Sequence, residues 1–98
     1  MHLNTRERVR ERKLEVLRIA EKNKIDEILL FGSCARGEDG PESDIDFLVT
    51  FAPGASLLDQ VHAKDELQEL FERPVDVVSR RGLSPYVAPS ILSEAVPL

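Results

Sequence analysis

Much that could stabilise or anchor a chain is missing from these 98 residues. Tryptophan is absent, tyrosine occurs once, and aromatic residues make up 5% of the sequence. A core must therefore be built from Leu, Val and Ile. Cys34 is the sole cysteine, which excludes an intrachain disulfide and suits a reducing compartment. No apolar run approaches the roughly 18 residues that span a bilayer. The N-terminus lacks the apolar centre of a signal peptide. The expectation is a soluble, cytoplasmic protein without membrane contact. Neither a Gly-x-x-x-x-Gly-Lys loop nor a Gly-x-Gly-x-x-Gly fingerprint is present, so the folds built on them are poorly supported. His2 and His62 have no His or Cys neighbour with which to make a zinc site.

Charge is unevenly spread. The net value is −5, but residues 1–24 carry eight Lys or Arg against four Glu, and residues 25–98 carry five basic against fourteen acidic residues. The balances are +4 and −9. The acidic part argues against broad binding of a phosphate backbone, so no direct nucleic-acid partner is expected. The basic part reads as a helix with a charged outer face. Interleaved Glu weakens any nucleic-acid role for Arg6, Arg8, Arg10 and Arg12.

The length permits one domain, residues 1–98, divided into a basic amphipathic helix (1–24) and a core (25–98). Asn4 or Thr5 caps a first helix running to about Asn23, with Val9, Val16, Leu17 and Ala20 on one face. Ile28 to Phe31 is a short apolar run suited to a buried strand, ending at Gly32. Ser33 to Arg36 opens a short helix, and Gly40-Pro41 marks a turn. Asp44 to Phe51 alternates: Ile45, Phe47, Val49 and Phe51 face one way, and Asp44, Asp46, Leu48 and Thr50 the other. Ser56 with Asp59 resembles a capping box opening a helix to about Phe71, whose two apolar arcs suggest a bend or a later start. Glu72-Arg73-Pro74 breaks that helix. Val75 to Val78 is a third strand, Arg80-Arg81-Gly82 a turn, and Pro85 or Pro89 begins a last short helix. Val96 to Leu98 reads as a ragged end. The fold class is α/β (α+β), a small mixed sheet with helices on one face and Asp44, Asp46 and Asp76 on the open face.

The acidic residues carry the chemistry. Asp is a poor strand former, yet Asp44 and Asp46 interrupt an apolar strand and alternation puts both carboxylates on one face. They repel unless a cation lies between them. A hard divalent ion suits oxygen ligands, and Mg²⁺ completes its shell with water and substrate phosphate. Asp-x-Asp by itself also occurs on exposed strand faces. Gly32 allows close approach of backbone to a ligand, and Ser33 adds a hydroxyl and an N–H. Asp76, brought in by a neighbouring strand, makes three carboxylates, enough to hold two metals. Taken alone, Asp76 is an ordinary strand-end carboxylate. Cys34 reads as a small buried side chain, His62 as a helix-surface residue and Tyr86 as a packing residue.

Together, Gly32-Ser33, Ala35-Arg36-Gly37, Ser43-Asp44-Ile45-Asp46 and Val75-Asp76-Val77-Val78 resemble the signature of the minimal nucleotidyltransferases of the DNA polymerase β-like superfamily. The resemblance spans roughly Ile25 to Val96. It implies a nucleoside triphosphate, ATP, held by Gly32 and Ser33 with Arg36 nearby. It also implies two Mg²⁺ ions on Asp44 and Asp46, and Asp76 completing the metal site and acting on the acceptor hydroxyl. The small size resembles the stand-alone members that act as antitoxins to an all-helical HEPN ribonuclease toxin, transferring AMP to a toxin tyrosine. Two other functions stay open at this stage. One is a non-enzymatic module that neutralises a partner by steric cover. The other is a small-molecule nucleotidyltransferase, for instance on an antibiotic.

Overall fold

The computed structural model describes residues 4–40 and 43–98. The chain begins with two helices, α1 (Thr5–Glu11) and α2 (Lys13–Lys22), where the sequence suggests one. Asn4 caps α1, its side chain accepting from Glu7 N–H at 2.8 Å. The interruption falls at Arg12, and the ladder carries on across it, Val16 N–H donating to Arg12 O at 3.0 Å. With this kink Val9, Val16 and Ala20 are all buried, whereas Leu17, expected on the same face, is 41% exposed. The basic helical segment thus packs on its own domain, with only its outer face free for a partner.

Strand β1 (Ile25–Phe31) starts three residues before the apolar run, then turns directly into α3 (Gly32–Arg36). Strand β2 (Ile45–Phe51) follows, then α4 (Leu57–Phe71) and β3 (Val75–Ser79). A 3₁₀ turn at Arg80–Gly82, helix α5 (Ala88–Glu94) and strand β4 (Val96–Pro97) complete the order. Ser56 and Asp59 form the capping box of α4, with Asp59 Oδ2 accepting from Ser56 N–H at 2.8 Å. The helix therefore starts where its cap dictates. The arc Leu57, Leu58 and Val61 is simply exposed, and the other arc supplies buried Ala63 and Leu67.

The sheet order is β3-β2-β1-β4. β1 pairs antiparallel with β2 and with β4, and β2 pairs parallel with β3, so the sheet is mixed. The expected ragged end is in fact an edge strand: Val96 lies opposite Leu30 and Pro97 opposite Leu29. Pro97 lacks a donor and is tolerated because it sits at the edge. One face of the sheet presents Ile28, Leu30, Ile45, Phe47, Val49, Val75 and Val77 to residues of α1, α2, α3 and α4 in a single core. Phe47 is fully buried and its ring lies 6.2 Å from that of Phe71. Truncating such a residue to Ala costs about 3–5 kcal/mol. Between α2 and α4, Glu66 accepts from Lys22 Nζ at 2.8 Å and from buried Asn23 Nδ2 at 3.0 Å. No described helix is long and apolar enough to cross a membrane.

The opposite face is not wholly polar. Leu48, which shares it with Asp46, is 1% exposed and lies in a row with Leu29 and Val78. One residue pair further along, the row changes character to Phe31, Asp46 and Asp76. That change positions the site.

Candidate active site

Parallel pairing puts Asp46 and Asp76 opposite one another on adjacent strands, about 4.8 Å apart in backbone spacing, with side chains on the same face. Asp44 lies just before β2 and is exposed. The structure thus brings together Asp46 and Asp76 as neighbours and leaves Asp44 at the strand's entrance. Burial, reinforced by the charges of Asp76 and Asp44, holds the Asp46 carboxyl above its ordinary range, and Arg36 pulls the other way.

Gly32 stands against this row. Its φ is +75°, and a Cβ at this position would overlap Asp46 Oδ2 and lie 3.3 Å from Asp46 Cγ. A side chain here would have to displace the carboxylate, and the positive φ at the β1–α3 bend favours glycine in its own right. Ser33 follows in the first turn of α3, and Gly37, in the left-handed conformation, ends that helix. Arg36, in the last turn, is exposed and pairs with Glu38 (Nε to Oε2, 2.9 Å) and with Glu94 of α5 (Nη1 to Oε2, 3.0 Å). It therefore reaches the site by its field while its donors are held by two carboxylates.

The residues fit a hard divalent ion. Three carboxylates share a region in which the most buried of them is destabilised by its own charge and its neighbours', and a cation relieves that cost. Among the described residues no three acidic, histidine or cysteine side chains converge closely enough to enclose an ion. The three aspartates thus do not form a closed cage, and an ion held by the paired Asp46 and Asp76 would complete its shell with water and phosphate.

Two sequence expectations fare differently. Cys34 is fully buried and its thiol is pushed up to about 11, chiefly by desolvation, with Asp39 next. It is no nucleophile at neutral pH. Tyr86, expected to pack, is 93% exposed. Its turn is held by Ser84 instead: Tyr86 N–H donates to the side-chain Ser84 Oγ at 3.2 Å and Val87 N–H to Ser84 O at 3.1 Å. The sequence reading missed the largely buried polar cluster of Arg73, Asp39 and Thr5, which holds the carbonyl of Ser43 next to Asp44. Arg73 stood inside a helix-breaking triplet and Asp39 inside a turn, and neither context signals a structural ion pair.

The sequence matches the nucleotidyltransferase domain family over residues 10–98. A chain of Methanocaldococcus jannaschii, provisionally named a protein adenylyltransferase, is 41% identical over 88 residues, covering 90% of this chain and 95% of its own. A solved structure provisionally described as a minimal nucleotidyltransferase superposes with a TM-score of 0.87 at 40% identity, covering 99% of this chain and 98% of that one. The fold also recurs, with a TM-score of 0.67 and 20% identity, in the complex of a tri-AMPylated HEPN toxin with its MNT antitoxin from Shewanella oneidensis. That match covers 89% of this chain and 68% of the other. The chain belongs to the nucleotidyltransferase domain family and, within it, to the minimal nucleotidyltransferases.

Proposed function

We propose that this protein is a Mg²⁺-dependent protein adenylyltransferase, moving AMP from ATP to a tyrosine hydroxyl of a HEPN-type toxin and so acting as its antitoxin. The observation that carries the reading is the in-register pairing of Asp46 with Asp76 beside Gly32, with Asp46 destabilised as a free carboxylate. The names of the relatives support the protein acceptor, and the Shewanella oneidensis complex supports the kind of partner.

In this reading Asp44 and Asp46 hold two Mg²⁺ ions and Asp76 completes the site. The tyrosine oxygen bonds to the α-phosphorus of ATP as the bond from that phosphorus to the β-phosphate breaks and pyrophosphate leaves; the metal, when bound, would neutralise charge on the attacking and leaving oxygens. Gly32 leaves space for phosphate to approach the bend, and Ser33 offers its hydroxyl and N–H to the β- and γ-phosphates. Arg36, released from Glu38 or Glu94, turns its guanidinium to the triphosphate. Asp76, beside the metal-facing Asp46, accepts the proton of the acceptor hydroxyl. Residues 1–98 act as one unit in the cytoplasm, with α1 and α2 packed against the catalytic core.

The test is transfer of label from α-labelled ATP to a HEPN-type protein encoded beside this chain, with and without Mg²⁺. The reading expects label on a toxin tyrosine, lost when that tyrosine is Phe. Neutralisation of the toxin that proceeds equally without nucleotide contradicts it.

A further inference from the structure

Arg73, between α4 and β3, is a charged residue with a 12% exposed side chain. Its Nε donates to Ser43 O at 3.2 Å, and its Nη2 donates to Ser43 O and, at 3.2 Å, to Gly40 O. Its Nη1 donates to Thr5 Oγ1, and the Thr5 hydroxyl donates to Asp39. The charge is balanced by Asp39, 7% exposed, with Nη2 and Oδ2 3.3 Å apart. The carbonyl of the next residue, Pro74, accepts from Ile45 N–H at 3.0 Å. Residues 73 and 74 therefore grip the backbone on both sides of Asp44, at Ser43 O and at Ile45 N. Cys34 Sγ donates to Asp44 O at 3.4 Å, so the residue is held at its own carbonyl as well.

We propose that Arg73 is a positioning residue for Asp44, its largely buried guanidinium fixing the segment before β2 so that the Asp44 carboxylate is presented to the metal site of Asp46 and Asp76. The inference rests on the metal-dependent reading above. Three acceptors spread over Gly40, Ser43 and Thr5 need a planar fork of donors, which Arg has and Lys lacks. A buried cation is stable only when paired, which is the place of Asp39.

Two variants separate positioning from bulk stability. Arg73→Lys keeps the charge opposite Asp39 and loses the fork. Arg73→Met combined with Asp39→Asn removes both buried charges and their mutual dependence. Binding of Mn²⁺ alone is measured by its paramagnetic effect, and amide exchange is followed at residues 45, 47 and 49. Weakening of Mn²⁺ affinity by about 10- to 100-fold is expected in both variants, with faster exchange at Ile45, whose N–H is held by Pro74 O, and unchanged exchange at Phe47 and Val49. ATP KM at saturating Mg²⁺ stays near the wild-type value. Wild-type Mn²⁺ affinity and wild-type protection at Ile45 in the folded variants overturn the inference. Absence of Mn²⁺ binding and AMP transfer in the wild type itself removes the metal-dependent reading, while the exchange at residue 45 still decides what Arg73 holds.

Discussion

Gly32 and Asp46 compete for one volume: the carboxylate of the second occupies the space that a side chain on the first would fill. The bend after β1 and the row of acids on β2 and β3 are therefore one construction. Gly32→Ala is expected to lose nucleotide transfer and to destabilise the fold. The positive φ by itself costs an alanine about 1–2 kcal/mol, and displacement of Asp46 adds to that. Chemical denaturation and transfer assays on this variant check both effects.

Asp46 gives the molecule a pH signature. Its folded-state pKa is raised, so between the ordinary carboxylate pKa and that raised value the native state binds more protons than the unfolded one. Stability contributed at this residue consequently falls as pH rises through that window. Without metal, Asp46→Asn is expected to be more stable than wild type at neutral pH while abolishing transfer. Added Mg²⁺ should raise the melting temperature of the wild type and leave that of Asp46→Asn nearly unchanged. Thermal melts across pH, with and without Mg²⁺, measure this; equal Mg²⁺ shifts in the two proteins contradict it.

Glu72 ends α4 in the left-handed conformation, at φ +53°. Glycine is the residue that adopts this cap without a Cβ penalty. Glu72→Gly should stabilise the chain by about 1 kcal/mol, seen as a higher urea midpoint at unchanged slope. Transfer activity stays at the wild-type level.

Cys34 should resist alkylation. The thiol is fully buried and titrates near 11, so thiolate is scarce and inaccessible at neutral pH. Intact mass after iodoacetamide treatment should show no adduct on the native protein and one on the denatured chain. Rapid labelling of the native protein contradicts the placement of this residue behind the site.

The sheet was largely legible because alternation in β2 and the apolar runs of β1 and β3 follow directly from burial on one face. The Gly32, Asp46 and Asp76 neighbourhood was legible because acids in apolar strands and a glycine at a strand end are locally unfavourable choices. The kink at Arg12 was not, since the apolar spacing of Val9, Val16 and Ala20 is that of a continuous helix. Strand β4 escaped notice because two residues ending in Pro97 carry no periodicity. Leu48 was assigned to the polar side because alternation fixes the face and says nothing of what crowds it. Arg73 illustrates the largest gap: its partners lie 30 or more residues away, at Thr5, Asp39 and Ser43, and no local pattern couples them.

The most direct measurement is the intact mass of a HEPN-type partner after incubation with ATP, Mg²⁺ and either the wild-type chain or its Asp46→Ala and Asp76→Ala variants, each shown by circular dichroism to be folded. One or more AMP additions with the wild type and none with either variant is the predicted result. AMP addition by both variants at the wild-type rate contradicts a catalytic role for the paired aspartates.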